Sequence, residues 1–310
     1  MYRPTTLVYS SHNRCEYLHR EFIVQRALES PDNKTILHLP MSMHHRHQQQ
    51  YGYDTFAWYF RKFEPYGLRH MPFFWSEDLR REDVDLLFHH LYHDQVVILG
   101  GGNSELGLAR YRALGERFYG DRDKFGRVLH ERQARGMLTV GFSAGADQLC
   151  HYLATSIEEP MGDPYGFGLA HRLVVTLHHE PGREWIVAMG AAKYPECLVF
   201  GLPNDSGLAV SQGILPSGNR WQLIQFIVDE SWDLPEDGWH IKTRQGVRIE
   251  HRYADGRHWA FNGGEQLLRV ISPDGTWQDA WMKTHGRHIL HYDTQTPTFF
   301  HSFEHILENH

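Results

Sequence analysis

Short apolar runs alternate with amphipathic segments along the first two-thirds of the chain. Five apolar runs predict buried β-strands. They are Thr6–Ser11, Thr35–Pro40, His70–Trp75, Gln95–Gly102 and Met137–Phe142. The segments between them repeat apolar residues at helical spacing and predict helices. These are Arg20–Ser30, Tyr53–Gly67, Arg81–His93, Ser104–Phe118 and Asp123–Gly136. The alternation predicts an α/β fold, with a doubly wound, mostly parallel sheet and helices on both faces.

The pattern changes after about Phe226. Short alternating runs there are separated by Asp-Gly and His-Gly turns, which are typical of β-hairpins. We therefore expect a C-terminal antiparallel β appendage, closed by a short helix within Thr298–His310. On this basis the sequence divides into a domain at 1–226 and a β-rich extension at 227–310.

Composition and charge narrow the class of protein. Of the 310 residues, 41% are hydrophobic and 22% are charged, and the net charge of −7 comes without a basic stripe that would bind nucleic acid. No run approaches the roughly 18 to 20 apolar residues of a membrane span, and no secretory signal is evident. Cys15, Cys150 and Cys197 form no C-x-x-C pair. We expect a cytoplasmic protein that contacts neither nucleic acid nor membrane.

One serine stands at a predicted strand-to-helix turn, in the stretch TVGFSAGADQ (Thr139–Gln148). Gly141 and Gly145 leave room for a tight turn, which would lift the hydroxyl of Ser143 to the edge of the sheet as a nucleophile elbow does. The N-terminus of the following helix would stabilise negative charge there. Serine is also a good helix N-cap, so both a nucleophile and a structural cap are open for Ser143.

A second turn, rich in glycine, follows another predicted strand in ILGGGNSELG. Backbone N–H groups at the end of a strand, with no side chains in the way, suit an oxyanion hole. The predicted donors are Gly101 or Gly102 and, after the serine, Ala144. Phosphate binding is the competing interpretation, but the run matches neither G-x-G-x-x-G nor G-x-x-x-x-G-K-[ST].

Three stretches, in this order, resemble the peptidase E and cyanophycinase family of serine peptidases: VVILGGGN, GFSAGA and GFGLAHRLVVTLHHEPGRE. The resemblance runs from about Leu7 to Phe226, including LVFGLPNDSGLAV, and says nothing of the chain beyond. It implies a fold related to the class I glutamine amidotransferases, with serine in place of the amidotransferase cysteine. It also implies that Ser143 is the nucleophile.

The resemblance further implies a general base at the end of the strand RLVVTL, where two histidines follow. The family spacing favours His178, whereas the arginine that follows the histidine in cyanophycinases would allow His179 with Arg183. Neighbouring residues of an extended strand point to opposite sides, so only one histidine can serve. We predict His178 as the base, and Asn103, His179 and Arg183 as substrate-binding residues.

An acidic residue shortly after the nucleophile helix is the third member of the family's triad. The stretch SIEEPMGDP offers Glu158, Glu159 and Asp163. Glu158 stands at the spacing expected from peptidase E, and we predict that it orients the imidazole, although the family often has aspartate here. Glu159 and Asp163 stay open as alternatives, as does a solvated loop carboxylate.

The 24 histidines raise the question of a metal. HHRHQQQ (His44–Gln50) follows the second predicted strand, and His89 and His93 share one helix face at a spacing that zinc could use. Zinc normally takes three or four ligands, and neither group has an H-E-x-x-H motif or a cysteine partner. We predict neither metal nor cofactor, and interpret these histidines as surface or substrate-loop groups.

Together these features predict a serine hydrolase that cleaves a peptide or isopeptide bond next to an aspartyl residue of a small peptide. Not all of the cyanophycinase arginines occur here, which weakens the case for that substrate. A non-catalytic amidotransferase-like binding domain and an α/β-hydrolase-type esterase are the alternatives. The short interval from Ser143 to His178 counts against the esterase. The β-rich extension is expected to pack on the α/β domain or across a homodimer interface.

Overall fold

The computed structural model describes residues 3–11, 15–229, 248–285 and 288–310. The strands in these ranges are β1 (Thr6–Tyr9), β2 (Thr35–Leu39), β3 (Arg69–Pro72), β4 (Val96–Leu99), β5 (Leu138–Phe142), β6 (Leu173–Leu177), β7 (Leu198–Leu202), β8 (Ser206–Ile214), β9 (Arg220–Val228), β10 (Ile249–Arg252), β11 (His258–Phe261), β12 (Gln266–Ile271), β13 (Gln278–Lys283) and β14 (Ile289–His291). The α-helices are α1 (Glu16–Leu18), α2 (Gln25–Leu28), α3 (Arg46–Phe60), α4 (Arg81–His93), α5 (Ser104–Tyr119), α6 (Lys124–Ala134), α7 (Ala144–Leu149), α8 (Thr155–Glu158), α9 (Glu184–Lys193) and α10 (Phe303–Glu308). A π-helical stretch, His19–Val24, joins α1 to α2, and a 3₁₀ helix, Arg61–Tyr66, extends α3.

The larger of two sheets has the strand order β14-β13-β12-β9-β8-β1-β5-β4-β2-β3. Five neighbouring strands of this sheet are parallel: β1, β5, β4, β2 and β3. The remaining strands, β8, β9, β12, β13 and β14, pair with their neighbours in antiparallel fashion, beginning with β8 against β1. The carboxyl ends of the parallel strands therefore open at one edge, where such sheets bind ligands. The predicted α/β fold class is confirmed.

The smaller sheet has the strand order β11-β10-β7-β6. β6 and β7 are parallel, with Leu177 opposite Leu202, and β10 and β11 continue the sheet in antiparallel fashion. The C-terminal region thus supplies β10 and β11 to the smaller sheet and β12 to β14 to the larger one. The expected antiparallel β structure is present, built onto both sheets, and the division at residues 226 and 227 stays a prediction.

Apolar side chains cover both faces of the larger sheet. The helical segment at 16–28 and α3 pack on one face. Helices α4 to α7 and the smaller sheet enclose the largest core on the other face, where the rings of Phe226 and Phe261 stack with centroids 3.8 Å apart. Helices α8 and α9 cover the outer face of the smaller sheet, and α10 packs on the C-terminal strands. None of the described helices is long and apolar enough to cross a membrane.

One predicted helix begins earlier than its apolar pattern suggests. The helix predicted from Tyr53 starts at Arg46, because His45 and Gln48 form a capping box in which the backbone N–H of His45 donates to Oε1 of Gln48 at 3.0 Å. Most of the histidine-rich stretch at 44–50 is therefore the first turn of α3. Capping chemistry, which the apolar period does not report, sets this boundary.

Candidate active site

The turn at Ser143 joins the end of β5 to α7. Ser143 has φ 49° and ψ −122°, a backbone conformation that residues other than glycine rarely adopt. The flanking glycines permit it. A Cβ at Gly145 would lie 2.1 Å from the carbonyl oxygen of Leu99, and a Cβ at Gly141 would lie 2.3 Å from that of Gly145. A side chain at either position would force α7 away from the sheet.

The hydroxyl of Ser143 makes no capping hydrogen bond to α7. The backbone carbonyl of Ser143 instead accepts from the N–H groups of Ala146 at 2.9 Å and Asp147 at 3.2 Å, and the residue is half-buried. A non-glycine residue in such a conformation costs about 1–3 kcal/mol, and residues of this kind cluster at functional sites. The structural-cap interpretation therefore has no hydrogen bond to support it.

The glycine turn after β4 lies against Ser143. A Cβ at Gly101 would come within 2.9 Å of the ring of Phe142 and 3.3 Å of the Cβ of Ser143. Ala144 is the first residue of α7, whose amino-terminal N–H groups have no intrahelical acceptor. The backbone of Gly101 thus lies next to the serine side chain, and Ala144 directly follows the serine. Their role as donors to an oxyanion stays a prediction.

The next two residues of this turn are held by the loop after β2. Gly102 has φ 131°, and a Cβ there would lie 2.3 Å from the carbonyl oxygen of Ser42. That carbonyl accepts from the N–H of Asn103 at 2.9 Å. Oδ1 of Asn103 caps α5 by accepting from the N–H of Leu106 at 2.8 Å. The carboxamide oxygen of Asn103 is thus already engaged, and its predicted contact with substrate stays a prediction.

His178 follows the last residue of β6 and has φ 53°. Its backbone N–H donates to the hydroxyl of Ser10 at 2.8 Å. Its imidazole is exposed, and Nδ1 lies 2.5 Å from Oδ1 of Asn204. Because an amide oxygen only accepts, Nδ1 carries the proton in this arrangement and Nε2 has a lone pair available.

The end of β1 ties the serine and the histidine to the same place. The backbone N–H of Ser143 donates to the carbonyl of Tyr9 at 3.0 Å, and that of His178 donates to the side chain of the next residue, Ser10. β1 pairs with β5 in parallel, with Tyr9 opposite Phe142. Two residues with positive φ, at the carboxyl ends of strands in different sheets, are thus fixed to consecutive residues of one strand end.

Asn204 is the site residue that the sequence analysis missed. It follows β7, the parallel neighbour of β6, so that polar residues after both strands emerge at the same edge. The turn is tight, since Asp205 has φ 60° and the hydroxyl of Ser206 donates to the carbonyl of Pro203 at 2.7 Å. The signal in the sequence is the polar pair in LPND directly after an apolar run.

The second histidine, His179, points away from the first. Its side chain is buried, and a Cβ at Gly201 would lie 2.7 Å from the ring. Nε2 of His179 lies 3.7 Å from a carboxylate oxygen of Glu250, and burial lowers the pKa of the imidazole. Contact with a substrate at His179, predicted from the sequence, has no support from this position, and it stays a prediction.

The predicted third member of the triad, Glu158, lies at the end of α8 with an exposed side chain. Glu159 is exposed beside it, and Asp163 pairs with two arginine side chains at 2.9 and 3.1 Å. In the part of the chain that the structure describes, no hydrogen bond or ion pair joins these carboxylates to His178. The group in contact with the imidazole is Asn204, and Glu158 stays a prediction.

Arg183 lies beside the histidine. Its Nη1 donates to the backbone carbonyl of His178 at 3.3 Å, and Arg183 precedes the first residue of α9. The side chain is half-buried. This contact holds a cation next to the candidate base, in a position to contact an anionic group of a bound ligand.

The described histidines do not gather into a metal centre. The exposed rings of His45 and His47 stack at 5.6 Å near the start of α3, and those of His89 and His93 lie 4.4 Å apart on α4. Among the described residues, no group of three or more histidine, cysteine, aspartate or glutamate side chains is placed to hold a metal ion.

No protein-family model matches the chain. A stretch of 130 residues is 28% identical to peptidase E of Salmonella typhimurium and, to the same extent, to that of Salmonella heidelberg. It covers 38% of this chain and 53% of those proteins, so the chain spans about half the length of the curated relatives it matches. The crystal structure of a peptidase from an acI-B1 Actinobacterium has the same fold, with a TM-score of 0.54 and 13% identity over 87% of this chain and 97% of that one. The predicted resemblance to peptidase E is confirmed by these relatives, and the solved structure confirms the fold.

Proposed function

We propose that this chain is a serine hydrolase that cleaves a peptide or isopeptide bond next to an aspartyl residue. The observation that carries the proposal is the fixing of Ser143 and His178 to consecutive residues of β1, Tyr9 and Ser10. Both residues have positive φ, and strain of this kind is maintained where a side chain must be aimed. The peptidase E relatives support the peptide-bond chemistry.

In the proposed reaction, Oγ of Ser143 attacks the carbonyl carbon of the scissile bond while Nε2 of His178 takes its proton. The N–H of Ala144 and that of Gly101 or Gly102 hold the oxyanion of the tetrahedral intermediate. As the intermediate collapses, His178 gives the proton to the leaving amine and an acyl-serine remains. Water then attacks the acyl-serine with His178 again as base, which releases the acid and restores Ser143.

Asn204 takes the orienting role that the sequence analysis gives to Glu158. Its Oδ1 fixes the imidazole tautomer in which Nε2 can accept a proton. An amide is neutral, so it stabilises the imidazolium that forms during the reaction less than a carboxylate would. The proposed site is therefore a Ser-His-Asn triad, in which orientation counts for more than charge.

Arg183 supports the aspartyl part of the proposal. Its guanidinium is held at the backbone of His178, within the site, and guanidinium groups bind carboxylates through paired hydrogen bonds. In an α-aspartyl or a β-aspartyl linkage, two carbon atoms separate the free carboxylate from the scissile carbonyl carbon. We propose that this carboxylate pairs with Arg183 in either linkage, because both carry it close to the bond that breaks.

A panel of dipeptides tests the proposal. Hydrolysis of α-aspartyl, β-aspartyl, asparaginyl and alanyl dipeptides by the purified chain should show preference for one of the aspartyl classes. A fluorophosphonate probe should label the wild type and a Ser217→Ala control, which removes an exposed turn hydroxyl. Ser143→Ala should be folded, unlabelled and inactive. Labelling or turnover that survives Ser143→Ala would contradict the nucleophile, and equal rates on aspartyl and alanyl dipeptides would contradict the substrate class.

A further inference from the structure

A group of basic side chains lies at the amino end of β6, opposite the candidate active site. Arg172 precedes the first residue of β6, Arg220 begins β9, and Arg269 lies within β12. Two histidines adjoin them, with ring centroids 5.9 Å apart. This basic cluster consists of His151, His171, Arg172, Arg220 and Arg269.

Arg269 is fully buried, yet every acceptor that it reaches among the described residues is neutral. Its guanidinium donates to the carbonyl of His171 at 2.8 Å and to the side-chain oxygens of Gln222 at 2.7 Å and Gln278 at 3.3 Å. Burial lowers the pKa of Arg269 to about 10. Arginine is seldom fully buried without an anionic partner, because desolvating its charge is costly.

Arg172 and Arg220 are two further cations of the basic cluster. Both side chains are half-buried. Arg172 donates to the carbonyl of Gly275 at 3.3 Å, a neutral acceptor. The guanidinium of Arg220 makes no hydrogen bond or ion pair with any described residue, and burial together with the nearby charge of Arg172 lowers its pKa. Neighbouring like charges repel each other, and an anion bound between them would offset this repulsion.

The lowered pKa of His171 reflects burial and the same excess of positive charge. Burial, followed by the charges of Arg220, Arg269, His151 and Arg172, lowers the pKa of His171 to about 3. His171 is therefore neutral near pH 7 and can offer a ring N–H to an acceptor. The surroundings favour negative charge and oppose any further positive charge.

Two carboxylates lie near the cluster, and hydroxyl groups engage both. Glu196 accepts from the hydroxyl of Tyr152 at 2.9 Å. Asp274, next to the glycine that Arg172 contacts, accepts from the hydroxyl groups of Ser272 at 2.6 Å and Thr276 at 2.8 Å. Neither forms an ion pair with an arginine of the cluster within the described ranges. Among the described residues, these three guanidinium groups thus have no ion-pair partner.

We propose that the basic cluster binds a small tetrahedral oxyanion of the phosphate type, held between Arg172 and Arg220. Planar guanidinium groups match the oxygens of such an anion in pairs, and the ring N–H groups of the histidines add donors. Arg172 and His178 flank the five residues of β6, so the cluster lies roughly 20 Å from His178 at the other end of the strand. The site is separate from the proposed catalysis and does not depend on it.

Calorimetric titration and thermal unfolding test the site, with inorganic phosphate against chloride at constant ionic strength. Phosphate should bind the wild type at one site and raise its melting temperature in a saturable way. Arg220→Gln should weaken phosphate binding by roughly tenfold or more. In chloride the same variant should melt above the wild type, because it removes an uncompensated charge. Arg61→Gln makes the same charge change at an exposed position and should bind phosphate as the wild type does.

Two further measurements distinguish a free phosphate ion from a phosphomonoester and test the need for positive charge at position 220. Phenyl phosphate that binds as tightly as inorganic phosphate would show that the site accepts a phosphomonoester, and weaker binding would assign it to the free ion. Arg220→Lys keeps the charge and should retain part of the affinity. Phosphate binding that is absent from the wild type, or equal in the wild type, Arg220→Gln and Arg61→Gln, would overturn the proposal.

Discussion

The two ends of β6 both carry a non-glycine residue with positive φ, and they differ in what holds that residue. At the carboxyl end, the side chains of Ser10 and Asn204 contact His178, the guanidinium of Arg183 donates to its carbonyl at 3.3 Å, and its imidazole is exposed. At the amino end, the carbonyl of Arg172 accepts from the buried guanidinium of Arg269 at 3.3 and 3.4 Å.

The difference shows that backbone strain alone does not define a site. Hydrogen bonds from other strands stabilise the unusual conformation at both ends, but different atoms are left available. At the carboxyl end an imidazole nitrogen with a lone pair faces outward, which suits proton transfer. At the amino end an excess of positive charge stays partly buried, which suits the binding of an anion. The polar atoms left available at each end, more than the strained backbone, thus determine which chemistry that end can support.

Alanine substitutions at the two histidines after β6 should show the largest difference in activity. His178→Ala should lower kcat/KM on an aspartyl dipeptide by roughly a thousandfold, because the proposed base is lost. His179→Ala should keep the rate within about tenfold and lower the melting temperature, because its buried ring packs on Gly201. An inactive His179→Ala beside an active His178→Ala would reverse the assignment.

The C-terminal strands support the sheet that carries both ends. The ring of Phe261 stacks on Phe226 at 3.8 Å and meets Phe200 at 5.7 Å, which locks β11 to β9 and β7. Phe261→Ala should lower the free energy of unfolding by about 3–5 kcal/mol in denaturant titrations. Phe299→Ala is the control, since that ring is 70% exposed and its loss should change stability by no more than about 0.5 kcal/mol. Equal losses in the two variants would show that the extension folds independently of the domain at 1–226.

Charge at the orienting residue sharpens the comparison further. Asn204→Ala should lower kcat/KM by roughly a hundredfold, since the imidazole loses the contact that fixes its tautomer. Asn204→Asp should keep measurable activity and move the acid limb of the pH–rate profile to higher pH, because a carboxylate favours the protonated imidazole. Glu158→Gln serves as the comparison. A large loss in Glu158→Gln, together with an unchanged rate in Asn204→Ala, would restore Glu158 as the orienting group.

The predictable parts of the site are those that local sequence encodes. The turn at Ser143 follows from two glycines at fixed offsets between an apolar run and a helix, and it forms as predicted. Asn204 reaches His178 only because β6 and β7 are parallel neighbours in a second sheet. That pairing depends on contacts far apart in sequence, which no local period reports.

The same reason hides the basic cluster and the placement of the C-terminal strands. Arg172 precedes β6 of the smaller sheet, whereas Arg220 and Arg269 lie on β9 and β12 of the larger sheet, so the packing of the two sheets brings them together. The hairpin turns predict β10 to β14 as strands, but alternation within a strand does not tell which edge it joins. Nonlocal pairing thus limits what the sequence predicts here.

The smallest expected effect concerns acid stability. Burial lowers the pKa of His70 and His171 to about 3 and that of His251 to about 4, so these side chains stay neutral in the folded state while the unfolded chain takes up protons below about pH 6.5. Their contribution is therefore lost as the pH falls from about 7 towards 4. Burial raises the pKa of Asp147 to about 6. Between about pH 6 and 4 the folded state therefore takes up this proton before the unfolded chain does, and Asp147 stabilises the folded state as the pH falls.

Three histidines outweigh one carboxyl group, so the free energy of unfolding should fall between pH 7 and pH 4 in denaturant titrations, with solvent screening reducing the share of the partly buried His171. Arg220→Gln should make this fall shallower, because it removes the charge that, after burial, acts most on His171. Arg61→Gln should leave the slope as it is in the wild type. A slope that is unchanged in Arg220→Gln would show that burial alone sets the titration of His171, and that the charges at the amino end of β6 lie too far apart to act as one cluster.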